Sequence, residues 1–238
     1  MIDLSKFSNK PVSQGLEQCG MYSIYNCIGN QLRQKGVEIC TPKEFNDFAL
    51  KNYTGNSLKT SLSRSKILMP DGYVRVYQEH TIPNTEYYIN DFEYVHYHED
   101  FIKDALINAL SLGYPLQAVV SYFPIQTYVN KQNVALMTDK EGKNINAHGV
   151  VIDGFDGEHF LVQNTVGAKR AIIMDNSVIK TARFFKISTE KQQKETLEIV
   201  EHNGKQVYLH TSTLGRKMHF NLNSEYIMRK KEQGKFLE

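Results

Sequence analysis

Tryptophan is missing from all 238 residues, cysteine occurs three times and proline six times. Three cysteines, Cys19, Cys27 and Cys40, are too few and too odd in number for a disulfide framework, which points to a reducing compartment. They also lack the Cys-x-x-Cys spacing of a structural zinc site. No run approaches the roughly 18 apolar residues of a membrane-spanning helix. The first residues, Met1-Ile2-Asp3-Leu4-Ser5-Lys6, lack the basic and apolar regions of a secretory signal. A soluble protein is therefore expected, cytoplasmic or delivered into a host cytosol. An excess of one charge is missing too. With 28 basic and 26 acidic residues the net charge is +2, so nothing global attracts nucleic acid or a membrane surface. Lys230, Lys231 and Lys235 read as a solvated C-terminus.

What is present suffices for a core. Hydrophobic residues make up 41% of the chain, and the length allows one large domain or two small lobes sharing a cleft. From Met21 the apolar residues Met21, Ile24, Tyr25, Ile28 and Leu32 fall at i, i+3, i+4, i+7 and i+11, the buried stripe of an amphipathic helix. Gln34-Lys35-Gly36 reads as its stop. Cys19 therefore stands at or just before the first turn, where unsatisfied N–H groups and the helix dipole push a thiol toward the thiolate that attacks carbonyl carbon.

Thr41-Pro42-Lys43-Glu44 has the form of a capping box with proline at the first helical position, which predicts a helix over about 42 to 51. The stretch from 52 to 70 is polar and broken by glycine, with Leu58 and Leu62 allowing one short helix. Tyr73-Val74-Arg75-Val76-Tyr77 alternates like a strand, as does the stretch from Phe92 to Tyr97. Phe101, Ile102, Ala105, Leu106, Ala109 and Leu110 form a helical stripe ended by Gly113 and Pro115. Leu116 to Phe123 reads as a strand and 126 to 146 as a loop.

Ala147 to Ile152, the turn Asp153-Gly154-Phe155-Asp156-Gly157, and His159 to Asn164 predict a hairpin. Strands around Ala171 to Met174 and Ala182 to Ile187 extend the same sheet. Beyond Ser188, Leu197 to His202, Asn203-Gly204 and Gln206 to His210 predict a second hairpin with a type I′ turn. Helices come early and strands late, so an α+β protein with a helical lobe and a β lobe is expected.

A nucleophilic cysteine needs a base within hydrogen-bond reach and a third group to orient that base. Among eight histidines, His148 sits inside the predicted hairpin, where the pleat fixes side-chain direction. Asn164, at the end of the partner strand, can face the same side. Read singly, His148 is equally a satisfied sheet histidine, Asn164 a turn residue and Cys19 a small buried hydrophobe.

Taken together, these positions resemble the papain-like cysteine peptidases. His148 and Asn164 follow Cys19 by 129 and 145 residues, against the family's spacing of about 130 to 150. Cys19-Gly20-Met21-Tyr22-Ser23 resembles the family's Cys-Trp-Ala-Phe-Ser, and Thr41-Pro42-Lys43-Glu44-Phe45 its Leu-Ser-Glu-Gln-Glu-Leu helix. His148-Gly149-Val150-Val151-Ile152-Asp153-Gly154-Phe155, followed by Val162-Gln163-Asn164-Thr165-Val166-Gly167, looks like the histidine strand and Asn-Ser-Trp-Gly end. The segment from Ala109 to Val120 with Gly113 and Pro115 looks like the helix, Gly-Pro and strand before the histidine. The chain departs from the pattern where Glu17 and Gln18 replace the second signature cysteine and Val166 replaces the tryptophan.

The resemblance implies a papain-like catalytic domain over 1–188, with a helical lobe over about 12–112, an antiparallel β lobe over 113–188 and the cleft between them. Residues 189–238 would be a β-hairpin extension. It implies a protein or peptide substrate, no metal and no cofactor. Cys19 would be the nucleophile, His148 the base, Asn164 its orienter and Gln14 the oxyanion donor, one residue closer to the cysteine than is typical; Gln18 is the alternative donor. Bacteriocin-leader peptidases, transpeptidases of the phytochelatin-synthase type and deubiquitinases share the order of these residues, and there Asp153 or Asp175 could replace Asn164. Outside enzymes, the chain could be a binding module that keeps the fold without catalysis. His80, His96 and His98 offer a metal reading, with no matched carboxylate or thiol spacing to support it.

Overall fold

The computed structural model describes residues 1–9, 18–55, 58–60, 66–95, 102–120, 127–130, 132–135, 148–164, 169–173, 179–191, 196–211 and 217–232. Helices and antiparallel sheets divide the chain between them, so the protein is α+β. Two units follow one another, Met1–Thr189 and Glu190–Glu238. The first begins with β1 (Ile2–Asp3) and a 3-10 turn at Ser5–Phe7.

Between Cys19 and Gln31 the chain carries no charged residue, and the helix that it forms, α1 (Cys19–Gln34), is buried on almost every side. The apolar stripe packs as expected: Met21, Ile24, Tyr25, Ile28 and Leu32 all join one core. The opposite stripe, which an amphipathic helix usually turns to solvent, is buried as well. Ser23, Asn26 and Asn30 are buried, and with Gln34 they repeat at i, i+3, i+7 and i+11. They survive burial because each is bonded. Asn26 Oδ1 accepts from Asn9 Nδ2 at 2.8 Å, Asn30 Nδ2 donates to Leu4 O at 2.8 Å and to Ser8 Oγ at 3.1 Å, and Gln34 Nε2 donates to Gly113 O at 2.7 Å. Gly36, at φ +75°, ends the helix in a conformation that suits glycine.

The helix α2 (Pro42–Asn52) starts on the full capping box, with Glu44 N donating to Thr41 Oγ1 at 3.3 Å and Thr41 N to Glu44 Oε2 at 2.9 Å. Leu58, expected in a short helix, instead opens β2 (Leu58–Thr60), which pairs with β3 (Lys66–Leu68); Leu62 lies outside the described residues. The expected strand at Tyr73–Tyr77 is also corrected, because it lies inside α3 (Pro70–Glu79). Pro70 presets the first helical φ and Asp71 meets the positive end of the dipole. Tyr73, Val74, Val76 and Tyr77 are buried while Asp71, Arg75 and Glu79 are exposed, a spacing of four that only a helix satisfies. Five residues of Tyr-Val-Arg-Val-Tyr fit both periods, and the flanks decide.

The chain continues through β4 (Tyr88–Val95), α4 (Ile102–Ser111) and β5 (Leu116–Val120). The expected loop at 126–146 is corrected in its described part, which pairs β6 (Thr127–Asn130) with β7 (Gln132–Ala135). Then come β8 (His148–Phe155), β9 (Phe160–Asn164), β10 (Lys169–Ile173) and β11 (Ile179–Ser188). The main sheet runs β10-β9-β8-β5-β11-β4, with β1 against the far end of β8. The expected division at residue 112 is therefore not clean: β4 precedes it and belongs to the late sheet.

Side chains alternate across this sheet with period two. Leu116, Ala118, Val150, Ile152, Ala182 and Phe184 meet Leu106, Ala109 and Leu110 of α4 on one face. Val151 and Phe185 join the α1 core on the other, and Gln117 and Arg183 share that face by register, since Gln117 pairs with both Val151 and Arg183. The second unit holds β12 (Thr196–His202), β13 (Lys205–Thr211), β14 (Lys217–Asn221) and α5 (Glu225–Glu232). Asn203 at φ 52° and Gly204 at φ 71° form the expected type I′ turn. No helix of the described residues is long and apolar enough to cross a membrane.

The bonded polar stripe of α1 predicts a large response to a small change. Asn30→Ala removes the donor to Leu4 and Ser8 and leaves half-buried acceptors unmet, and we expect a loss of about 1 to 3 kcal/mol in denaturant-induced unfolding.

Candidate functional site

Cys19 is the first residue of α1 and is half-buried. The N-cap Gln18 gives no side-chain bond to the helix end, so it leaves first-turn N–H groups open to another acceptor. The other two thiols are placed quite differently. Cys27 is sealed in the core and burial raises its pKa well above the ordinary thiol value. Cys40 is buried as well, and burial pushes it up to about 12. Of the three thiols only Cys19 stands at a helix end with part of its surface open.

Two close approaches hold this first turn. A Cβ on Gly149 would lie 3.0 Å from Cys19 O and 3.0 Å from Ser23 Oγ. A Cβ on Gly20 would lie 2.8 Å from Pro70 Cγ. The turn thus packs on both β8 and the start of α3, and glycine at 149 lets the strand come that close. Behind the turn, Ser23 Oγ donates to Gly20 O at 3.0 Å and accepts from Gln117 Nε2 at 3.1 Å. Arg183 Nε donates to Gln117 Oε1 at 2.5 Å and its Nη1 to Asp71 Oδ1 at 2.7 Å.

His148 is the residue before Gly149, the first of β8, opposite Val120, and 2% exposed. The fold therefore brings the histidine's backbone to within one residue of a direct contact with Cys19. Gly149 and Val151 face α1, and a regular pleat assigns His148 to the alternate positions, with Val150 and Ile152. On that pleat its side chain starts from the face turned away from α1, at the first position of the strand.

Asn164 closes β9, where its backbone pairs with Lys169. Gln163 is opposite Val151, so Asn164 holds the alternate register position, the one that His148 holds on β8. Gln163 turns to the α1 side and donates from Nε2 to Asn9 O at 3.0 Å. Gln14, Asp175, His96 and His98 lie outside the described residues. Asp153 is buried five residues along β8 from His148, roughly 16 Å of strand, and cannot reach its ring. It accepts from Ser8 Oγ at 2.6 Å and its carbonyl from Leu4 N at 2.8 Å, which anchors the N-terminal segment. His80 ends α3 edge-on to Phe48. Among the described residues no three His, Cys, Asp or Glu side chains converge as a metal site would require.

Sequence reasoning did not single out Gly149, Ser23, Gln117 or Arg183. A signal existed: Gln117 and Arg183 are lone polar residues in the otherwise apolar or small runs Leu116–Val120 and Ala182–Phe185, and each points to the α1 side. The tight contact at Gly149 predicts that Gly149→Val forces α1 and β8 apart. We expect a loss of about 1 to 3 kcal/mol from overpacking, measured by urea unfolding. No protein-family profile and no curated protein sequence matches the chain.

Proposed function

We propose that the chain is a cysteine peptidase of the papain-like type that hydrolyses peptide or isopeptide bonds by acyl transfer. His148 takes the thiol proton, and the Cys19 thiolate attacks the amide carbonyl. The C–N bond breaks as His148 protonates the leaving amine, and a water activated by the same ring then hydrolyses the thioester. Asn164 orients the ring, and the Cys19 N–H together with the Gln14 amide stabilises the oxyanion, a contribution whose loss typically costs about 10² to 10³ in rate.

One observation supports this reading: a carbon added to Gly149, the residue next to His148, would lie 3.0 Å from Cys19 O at the N-terminus of α1. Gly149 and Cys19, 130 residues apart, approach there through the backbone, and Cys19 is the one half-buried thiol of three. Of the positions that share His148's face of β8, only the first can send a ring past the strand end. Val150 and Ile152 are sealed against α4.

A second reading has an observation of its own. The alternate register position and 2% exposure of His148 suit a structural sheet histidine in a protein-binding module without catalysis. Alkylation separates the two. For the peptidase, iodoacetamide at pH 6 modifies Cys19 at least ~10-fold faster than an ordinary thiol, and His148→Ala removes that excess. For the module, Cys19 reacts at the ordinary rate and His148→Ala changes nothing. In both cases Cys27 and Cys40, which burial keeps as neutral thiols, remain unlabelled until the protein is denatured. Mass spectrometry of the alkylated peptides gives the answer, and loss of peptide-library cleavage in Cys19→Ala completes it.

A further inference from the structure

We infer that Arg183 is a positioning residue for Cys19, acting through Gln117 and Ser23 on the first turn of α1 and through Asp71 on the start of α3. The inference rests on the peptidase reading of Cys19.

Arg183 is 5% exposed, and a buried guanidinium is costly unless its donors are met. It is covered by the rings of Phe92, Tyr94 and Phe185, with its carbon 5.3 to 5.6 Å from their centroids. Its Nε donates to Gln117 Oε1 at 2.5 Å; its Nη1 donates to Asp71 Oδ1 at 2.7 Å and to Tyr94 OH at 3.2 Å.

Arginine can only donate, and this gives the bonds a direction. Because Oε1 of Gln117 must accept from Arg183, its Nε2 is the atom turned to Ser23, and it donates to Oγ at 3.1 Å. The one hydroxyl hydrogen of Ser23 is then left for Gly20 O, at 3.0 Å. Gly20 O belongs to the peptide that follows Cys19 and Gly20 at the helix start. The orientation of that peptide is thus set from Arg183, two side chains away.

The other arm of the fork closes a ring. Asp71 follows Pro70, and Pro70 packs on Gly20 so closely that an added carbon there would lie 2.8 Å from its Cγ. Starting at Gly20, the ring passes through Ser23, Gln117, Arg183, Asp71 and Pro70 and returns to Gly20. It links α1, β5, β11 and α3. The first turn of α1 and the start of α3 that packs on it are therefore tied to one guanidinium. Lysine at 183 would keep the charge but not the planar fork that reaches both partners.

The test is the rate–pH profile of Cys19 alkylation by iodoacetamide in the full chain, for wild type, Gln117→Met, Arg183→Lys and Asp71→Asn. Gln117→Met keeps the volume and removes the relay. It and Arg183→Lys are expected to slow alkylation at pH 6 by roughly 10- to 100-fold, as small misplacements of reacting groups do, and to move the profile toward that of His148→Ala. Cys27 and Cys40 stay unlabelled in both. Asp71 has a side chain 64% exposed, so Asp71→Asn folds and gives a smaller change of the same sign. An unchanged profile in Gln117→Met, with Cys27 and Cys40 still protected, overturns the positioning role while the peptidase reading stands. A slowing that comes with labelling of Cys27 overturns it as well, since the ring then only holds the fold. Ordinary thiol kinetics in the wild type overturn both.

Discussion

The approach of β8 to the first turn of α1 is the constraint on which the rest depends. A helix usually packs on a sheet about 10 Å away, axis to plane, because side chains fill the space between. At Gly149 there is no side chain, and backbone meets backbone with room for no added carbon. The gap closes at one end of the helix, the end where a cysteine stands and where N–H groups have no partner within the helix. The neighbouring strand position carries the histidine. A large residue at 149 would move these two groups apart without touching either of them.

Close approach leaves little tolerance for sliding, and polar bonds remove what is left. An interface of Leu and Ile alone is satisfied by several registers, since dispersion and burial are nearly indifferent to a small shift. Ser23, Asn26, Asn30 and Gln34 each require a particular partner: Gln117, Asn9, Leu4 with Ser8, and Gly113. A shift by one residue would strand several buried polar groups at about 1 to 3 kcal/mol each. The helix is held in one register against β5, the N-terminal segment and the turn after α4, and its first residue in one place.

The sequence spoke clearly where local chemistry decides structure. The capping box at Thr41 and Glu44, the Asn203-Gly204 turn and the apolar stripe of α1 were all legible because each is complete within a few residues. The address of Cys19 followed from that stripe. Tyr73–Tyr77 misled because five residues cannot distinguish a period of 2 from one of 3.6 when tyrosine and valine fit either. The pairs β2–β3 and β6–β7 were missed because they are short and polar, and their partner strands supply the order. The burial of the second face of α1 had a signal that polarity alone conceals. A solvent face usually carries Lys and Glu, and this one carries Ser, Asn and Gln, with no charge before Arg33.

The same distinction explains why a buried arginine is present where an apolar residue would have been cheaper to bury. Neutral amides can flip, and a serine hydroxyl can rotate, so Ser23 and Gln117 alone could satisfy each other in more than one way. Arg183 has no acceptor and cannot deprotonate in a protein. Its presence breaks that degeneracy: one orientation of the Gln117 amide remains, then one rotamer of the Ser23 hydroxyl, then one peptide plane at Gly20. Asp71 is a surface residue, and its bond to the guanidinium lets α3 share in the choice. A group that only donates, placed at the head of a chain of groups that can do both, turns an adaptable set of hydrogen bonds into a single conformation at the end of α1.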